Sequence, residues 1–341
     1  MSGHQTPCRT SAWPSRSPAK QRPPSLTLVL LVAALLAGVL LAAGSLSAAG
    51  CGSDTTAATA IKAAEGTFPA TVTDDNQVSV TIKERPMRIV STAPANTEML
   101  FALGLGDRVV GVTSLDDYPP EAANIAKIGD FQPNPEAIVA LDPDLVVGYS
   151  GNEEALAPIK TAGTPVLILN PATVEQIYTD ITSVGTATGA TGEAAKLVES
   201  IKAQMKTVGD ASAATGDSPK VFFAVDDTLW TAGPGSFVDE LLTLAHATNV
   251  AAAPGANGAA AQAYYQFAPE QLAAADPDVI LLPGSFYKSA GEFTADPRFA
   301  GLKAVKKGRV LVIDDVIVTR PGPRIADGLK VLATAIHPGA S

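Results

Sequence analysis

Hydrophobic and polar positions follow two periods along this chain. Short apolar runs, at residues 88–91 (Ile89 and Val90 between Arg88 and Ser91), Val109–Val112, 145–147, 165–169, 221–225, 279–282 and Val310–Ile313, have the make-up of strands covered on both faces of a parallel sheet. Between them lie stretches of helical period. Residues 98–103 and 237–245 predict short helices, and residues 174–210 predict a long one broken at Gly189-Ala190-Thr191-Gly192. Beyond that break, Leu197, Ile201 and Met205 recur four apart, on one face of a helix roughly 24 Å long over residues 193–208. Residues 68–83 alternate around Asp74-Asp75-Asn76 and predict a hairpin. Strand–helix alternation with short loops predicts an α/β fold built on open parallel sheets.

One stretch occurs twice. Pro135-Glu136, a short periodic run and Asp142-Pro143-Asp144 lead into the apolar run at 145–147. About 134 residues later, Pro269-Glu270, a similar run and Asp276-Pro277-Asp278 lead into 279–282. Each copy predicts a short helix feeding a buried strand, with proline at the first helical position and glutamate in the first turn. Asn134 is the expected cap of the first copy; Ala268 leaves the second without one. Pro143 and Pro277 are expected to stop the helices, and the flanking aspartates have the chemistry of turns. Glu136 and Glu270 have two readings: complementing a helix dipole, or forming a matched pair of exposed carboxylates for a partner. The separation is too long for a solenoid and predicts two similar lobes. Asn96 or Thr97 is the expected cap of the helix at 98–103, and Gly104 and Gly106 are expected to end it. The lobe boundary falls on a helix, because a new series of strand–helix units starts at Lys220. The expected layout is an N-terminal lobe at 68–190, a linking helix at 191–212 and a C-terminal lobe at 213–341.

The first fifty residues change the picture of location. They contain no acid, and four basic residues (Arg9, Arg16, Lys20, Arg22) precede an apolar run at 26–43 and small residues ending Ala48-Ala49-Gly50-Cys51. This is the layout of a signal peptide over residues 1–50, and the terminal cysteine resembles a bacterial lipoprotein signal with Cys51 as the lipidated residue. A retained membrane-spanning helix is the other reading of the same run. Residues 51–67, rich in Ala, Thr, Ser and Gly, are expected to form a flexible tether. With Cys8 in the leader, the remainder holds only Cys51 and no internal disulfide. The whole chain carries a net charge of −10, and removing the leader makes it four units more negative. That acidity argues against nucleic acid and anionic lipid surfaces as partners.

Candidate catalytic chemistry is sparse. The three histidines are His4 in the leader, His246 within a predicted helix and His337 near the end, with no spacing that predicts a metal site. Neither a phosphate-binding Gly-x-x-x-x-Gly-Lys-Ser/Thr loop nor a Gly-x-Ser-x-Gly elbow occurs. Trp230 lies between Asp226-Asp227-Thr228 and Gly233-Pro234-Gly235, a loop context that suits a binding role as well as a core one.

Arg88-Ile89-Val90-Ser91, Pro94-Ala95-Asn96-Thr97-Glu98, Asp117-Tyr118-Pro119-Pro120 and Pro135-Glu136 through Asp142-Pro143-Asp144, in this order, carry a resemblance. Together with the second copy and Arg320-Pro321-Gly322-Pro323-Arg324, they make residues 85–338 resemble the cobalamin- and ferric-siderophore-binding proteins of ABC importers, most of all the cobalamin branch. The resemblance implies two Rossmann-like lobes joined by a single long α-helix, with ligand held in the cleft between them. It implies ligand contacts at Tyr118, Phe131, Trp230, Tyr264 and Arg320, and docking of Glu136 and Glu270 onto arginines of the permease. It further implies a monomer, no resident cofactor and no metal, with an importer permease and its ATPase as partners. The expected protein is an extracytoplasmic lipoprotein that binds a corrinoid and is not an enzyme. The same fold binding a ferric siderophore or haem is the nearest alternative; an extracytoplasmic enzyme and a tethered sensor are more distant ones.

Overall fold

The computed structural model describes residues 66–253 and 262–339. The expected signal peptide, the tether as far as residue 65, and Cys51 lie outside them. The expected hairpin opens the described chain: β1 (Ala70–Thr73) and β2 (Ser79–Ile82) run antiparallel, with Ala70 opposite Ile82. Alternation places Val72, Val80 and Ile82 on its buried face.

The first strand–helix series comprises β3 (Ile89–Ser91), α1 (Pro94–Ala102), β4 (Val109–Val112), β5 (Ala126–Lys127), α2 (Pro135–Ala140), β6 (Leu145–Tyr149), α3 (Glu153–Thr161) and β7 (Val166–Leu169). Its sheet has the order β5-β4-β3-β6-β7, and every pairing is parallel. Two helices follow, α4 (Val174–Thr188) and α5 (Thr191–Ala213). The second series is β8 (Lys220–Phe223), β9 (Trp230–Ala232), α6 (Phe237–Leu244), β10 (Thr248–Asn249), β11 (Tyr264–Gln266), α7 (Pro269–Ala275), β12 (Val279–Pro283), α8 (Ala290–Thr294), α9 (Lys303–Lys306), β13 (Val310–Ile313), α10 (Asp315–Thr319) and α11 (Ile325–Ile336). Its sheet, β10-β8-β12-β13, is also parallel, while β9 and β11 form a separate antiparallel ribbon.

The architecture is therefore two Rossmann-like lobes joined by one long helix, α5, about 35 Å from end to end. Ile201 and Met205 are buried along it, and Leu197 is half-buried at the edge of the same stripe. The helix packs on α4 of the first series and α11 of the second. Gly185 permits the close approach of α4, since a Cβ there would overlap the Ala194 methyl. Gly189 makes the turn between the two helices, in the left-handed region at φ 74°. One apolar core runs from β1 and β2 through α4 and α5 to α6 and α11.

The duplicated stretch does the same work in both lobes. The Asp144 carboxylate accepts from the Met87 and Arg88 amides at 2.9 Å each, tying the start of β6 to the start of β3. The Asp278 carboxylate accepts from the Lys220 amide at 3.1 Å, tying β12 to β8 in the same way. Asn134 caps α2 as expected, accepting from the Glu136 and Ala137 amides. In the second copy Gln271 reaches back, its Oε1 accepting from the Ala268 amide at 3.0 Å.

Two expectations need correction, the start of the first helix and the place of His246, while the proline stops are found as expected. The helix expected at 98–103 starts at Pro94, with Ala93 as its cap residue and no side-chain cap bond. Proline suits that first position, so Asn96 and Thr97 lie inside the helix. They are buried there: Asn96 Nδ2 donates to the Gly148 carbonyl at 2.9 Å and Thr97 Oγ1 to Ser91 Oγ at 2.7 Å. The repeated helices end before their prolines, at Ala140 and Ala275, with Asp142 and Asp276 in the left-handed region at φ 46° and 43°. The pre-proline residue is thus excluded from the right-handed helical region, and each aspartate tolerates the left-handed one. His246 lies beyond the end of α6 at φ 55°, not within a helix.

Candidate functional site

In the first sheet β4 and β5 lie on one side of β3, and β6 and β7 on the other. The loops leaving β3 and β6 therefore diverge, and a crevice opens beyond the C-terminal ends of these strands, where open α/β sheets bind ligands. A cleft of about 530 Å³ occupies that place, a size ordinary for a small-molecule site. Thr92, Ala93, Pro94 and Ala95 line it after β3, Thr113 and Leu115 after β4, and Tyr149 at the end of β6 with Ser150 to Asn152 after it. The Asp130–Gln132 loop closes one side, and Val316, Thr319, Arg320 and Pro321 reach in from the other lobe.

Hydrogen bonds hold this wall in register. Thr92 Oγ1 donates to Asn152 Oδ1 at 2.8 Å and accepts from the Tyr149 amide at 3.1 Å. Asn152 Nδ2 donates to the Phe131 carbonyl at 3.1 Å. The loops after β3 and β6 and the Phe131 loop are thereby joined. Beneath the wall, the Asp116 carboxylate accepts from the amide and hydroxyl of Thr113. Burial pushes the Asp116 carboxyl above its usual value.

Arg320 and Arg324 flank α10 and α11 in the second lobe, and both bond to carboxylates of the first. Arg320 Nη1 lies 2.7 Å from Glu98 Oε1 and 2.7 Å from Asp117 Oδ1. Arg324 donates through Nε to Glu98 Oε2 at 2.8 Å and through Nη2 to Glu98 Oε1 at 2.5 Å. Its guanidinium also stands over the Tyr118 ring, 3.9 Å from the centroid. Glu98 is 2% exposed, so its charge is buried and matched by a bidentate arginine and a second guanidinium. Burial alone would raise the Asp117 carboxyl, but Arg320 holds it below its ordinary value. The bond to Glu98 raises Arg324 above its own.

The expected ligand residues divide. Phe131, 78% exposed, and Arg320 line the cleft. Tyr118 lies outside that lining, under Arg324. Trp230 and Tyr264 are also outside it. They sit on β9 and β11, where Trp230 is opposite Gln266 and Tyr264 opposite Ala232. Two-residue alternation puts both aromatics on the exposed face of that ribbon, away from buried Thr231 and Tyr265. Burial pushes the Tyr264 phenol up, and the proximity of Tyr149, on the cleft wall, adds to it. Glu136 and Glu270 are both exposed in the first turn of their helices. Sequence reasoning missed Thr92, Tyr149 and Asn152, although the first follows an apolar strand and the others follow the repeated unit. It also missed Glu98 as a buried acid, because the expected helix start at 98 lies four residues beyond the observed one at Pro94.

Residues 89–317 match the family model for periplasmic binding proteins, and the chain belongs to that family. It falls among the solute-binding proteins of ABC importers. It is 36% identical over 315 residues to an uncharacterized ABC transporter substrate-binding lipoprotein of Bacillus subtilis (strain 168), covering 90% of this chain and 97% of the relative. A cobalamin-binding protein of Halobacterium salinarum is 27% identical, over 79% of this chain and 74% of the relative. Among solved structures, a periplasmic heme-binding protein from Roseiflexus sp. RS-1 superposes with a TM-score of 0.66 at 31% identity, over 74% of this chain and 99% of that one. Among the described residues, no helix is long and apolar enough to cross a membrane.

Proposed function

We propose that this protein is anchored outside the cytoplasm through a lipid on Cys51, captures a corrinoid in the cleft and delivers it to an ABC importer permease. The observation that carries the ligand is the make-up of the cleft wall. Apolar surface from Leu115, Phe131 and Val316 stands beside the uncharged hydroxyl and amide groups of Thr92, Tyr149, Ser150, Asn152 and Thr319. A corrin is a flat macrocycle with neutral amides around its rim. Aromatic faces cover such area at low entropic cost, and a wall of neutral donors and acceptors meets the amides without burying an unpaired charge. Tyr118, Trp230 and Tyr264 would extend the aromatic surface at the rim. Similarity to a cobalamin-binding protein supports the same reading.

Delivery rests on Glu136 and Glu270, one exposed carboxylate on each lobe at equivalent helix starts. Each exposed ion pair with a permease arginine contributes only ~0–1 kcal/mol, so the pair sets register and encounter rate more than affinity. The continuous α5 resists bending, and closure on ligand is accordingly modest. Similarity to a heme-binding protein favours haem as the second reading, with a ferric siderophore beside it.

Calorimetric titration of the purified full chain in detergent with cyanocobalamin, a ferric siderophore and haem tests the ligand. Cyanocobalamin is expected to bind with micromolar or tighter affinity. No heat with any corrinoid, together with tight binding of haem or a siderophore, would overturn the ligand while leaving the fold intact. The mass of the same preparation reports the anchor: an unmodified Cys51 removes it.

A further inference from the structure

Two guanidinium groups and two carboxylates meet where the lobes approach each other. Arg320 is the one cation among the described residues lining the cleft, and both Glu98 and Asp117 contact its Nη1. Arg324 is held by the same Glu98 and stacked on Tyr118. The cluster is therefore formally neutral, and the remaining charged lining residue is the acid Asp130. An anionic ligand would meet arginines whose charge is already balanced by protein carboxylates, which engage Nη1 of Arg320 and Nε and Nη2 of Arg324. To take over the donors that Glu98 holds it would have to displace that carboxylate, which is buried. The N-terminus of α1 also opens on the cleft, but it offers only about half a charge, enough for a carbonyl oxygen and too little to balance a carboxylate pair.

We propose that Glu98 and Asp117 set the charge of ligand that the cleft accepts, excluding anionic macrocycles by neutralising Arg320 and Arg324 in advance. This rests on the reading of the cleft as a site for a neutral corrinoid and names the residues that enforce it. Glu98 and Asp117 act through the arginines and are specificity-determining positioning residues. Specificity of this kind is a difference of two affinities and needs an element directed against the wrong ligand. Here that element is an occupied cation.

The test compares the wild-type full chain with Glu98→Gln and Asp117→Asn, titrated with cyanocobalamin and with haem, whose two propionates are anionic. Either substitution leaves the cluster one unit positive. The ratio of haem to cyanocobalamin affinity is expected to rise about two- to fivefold for the exposed Asp117→Asn, and on the order of tenfold or more for the buried Glu98→Gln. The gained haem binding should weaken as salt is raised, which a purely structural role would not produce. Glu98→Asp, keeping the charge, should hold the ratio near wild type. Should Glu98→Gln fail to fold, Asp117→Asn decides alone. An unchanged or lowered ratio in the folded variants overturns the proposal. Failure of the corrinoid reading is seen separately: wild type binds no cyanocobalamin, while the change in haem affinity from wild type to variant still decides the charge rule.

Discussion

Asp180 shows how a single buried carboxyl ties this fold to pH. It lies on α4, 2% exposed, with one oxygen lacking a partner among the described residues. Burial and the neighbouring Asp75 push its carboxyl up to about 8. The folded protein therefore keeps the Asp180 proton up to about pH 8, whereas the unfolded chain releases it near 4. The folded state binds more protons across that window, so this residue's contribution to stability is present below pH 4 and is lost as pH rises towards 8. Asp180→Asn keeps a neutral amide that can donate to Asp75. It is expected to raise stability by a few kcal/mol at pH 8, with the gain shrinking as pH falls to 4. Urea unfolding at both pH values checks this; equal differences at pH 4 and 8 would show that the carboxyl does not titrate between them. Nothing in the local sequence Thr179-Asp180-Ile181 signals the residue, because an acid on a helix is ordinarily solvated. Its neighbour Asp75 comes from the β1–β2 turn, about a hundred residues earlier in the chain.

At the scale of elements, the repeated unit is where sequence and structure agree most. Proline at the start, glutamate in the first turn and a buried strand after Asp-Pro-Asp are all local chemistry, and all are present in α2–β6 and α7–β12. Capping is the local difference: Asn134 serves α2, and Gln271 compensates for Ala268 in α7. Asn134→Ala is expected to cost about 1 kcal/mol, since two amides lose their acceptor. The midpoint of urea unfolding measures it, and no shift would mean that water replaces the cap without loss. The start of α1 was misread because Thr97-Glu98 has the pattern of a cap followed by a first-turn acid. Thr97 instead bonds back to Ser91 on β3, and Glu98 bonds across the fold to two arginines more than 220 residues away. Long-range partners of that kind leave no trace in local spacing.

For the molecule as a whole, two parallel sheets sharing a helical link give a cleft whose walls come from both lobes and two equivalent helix starts that each expose a glutamate. Charge reversal of Glu136 and Glu270 together, to lysine, is expected to abolish ligand uptake by cells, with binding by the purified protein unchanged. An uptake assay with labelled ligand checks it. Persistent uptake would return the glutamates to complementing their helix dipoles. Either way the pair is a property of the assembled molecule, since each acid alone is an ordinary first-turn residue.

Element types, the duplicated α/β unit, the hairpin at the start and the helix between the lobes were legible in the sequence. They depend on hydrophobic period and on turn and cap chemistry, which act over a few residues. So were Phe131 and Arg320 as cleft residues, through resemblance. The tertiary structure alone decided that β3 and β6 diverge at a switch point, that Tyr149 and Asn152 wall the cleft, and that Arg320 arrives already bound. Strand order is chosen by packing both sheet faces at once, and an ion pair depends on distance in space. Neither quantity is carried by the order of neighbouring residues, so the arginine that reads as a free cation in the sequence is a neutralised one in the fold.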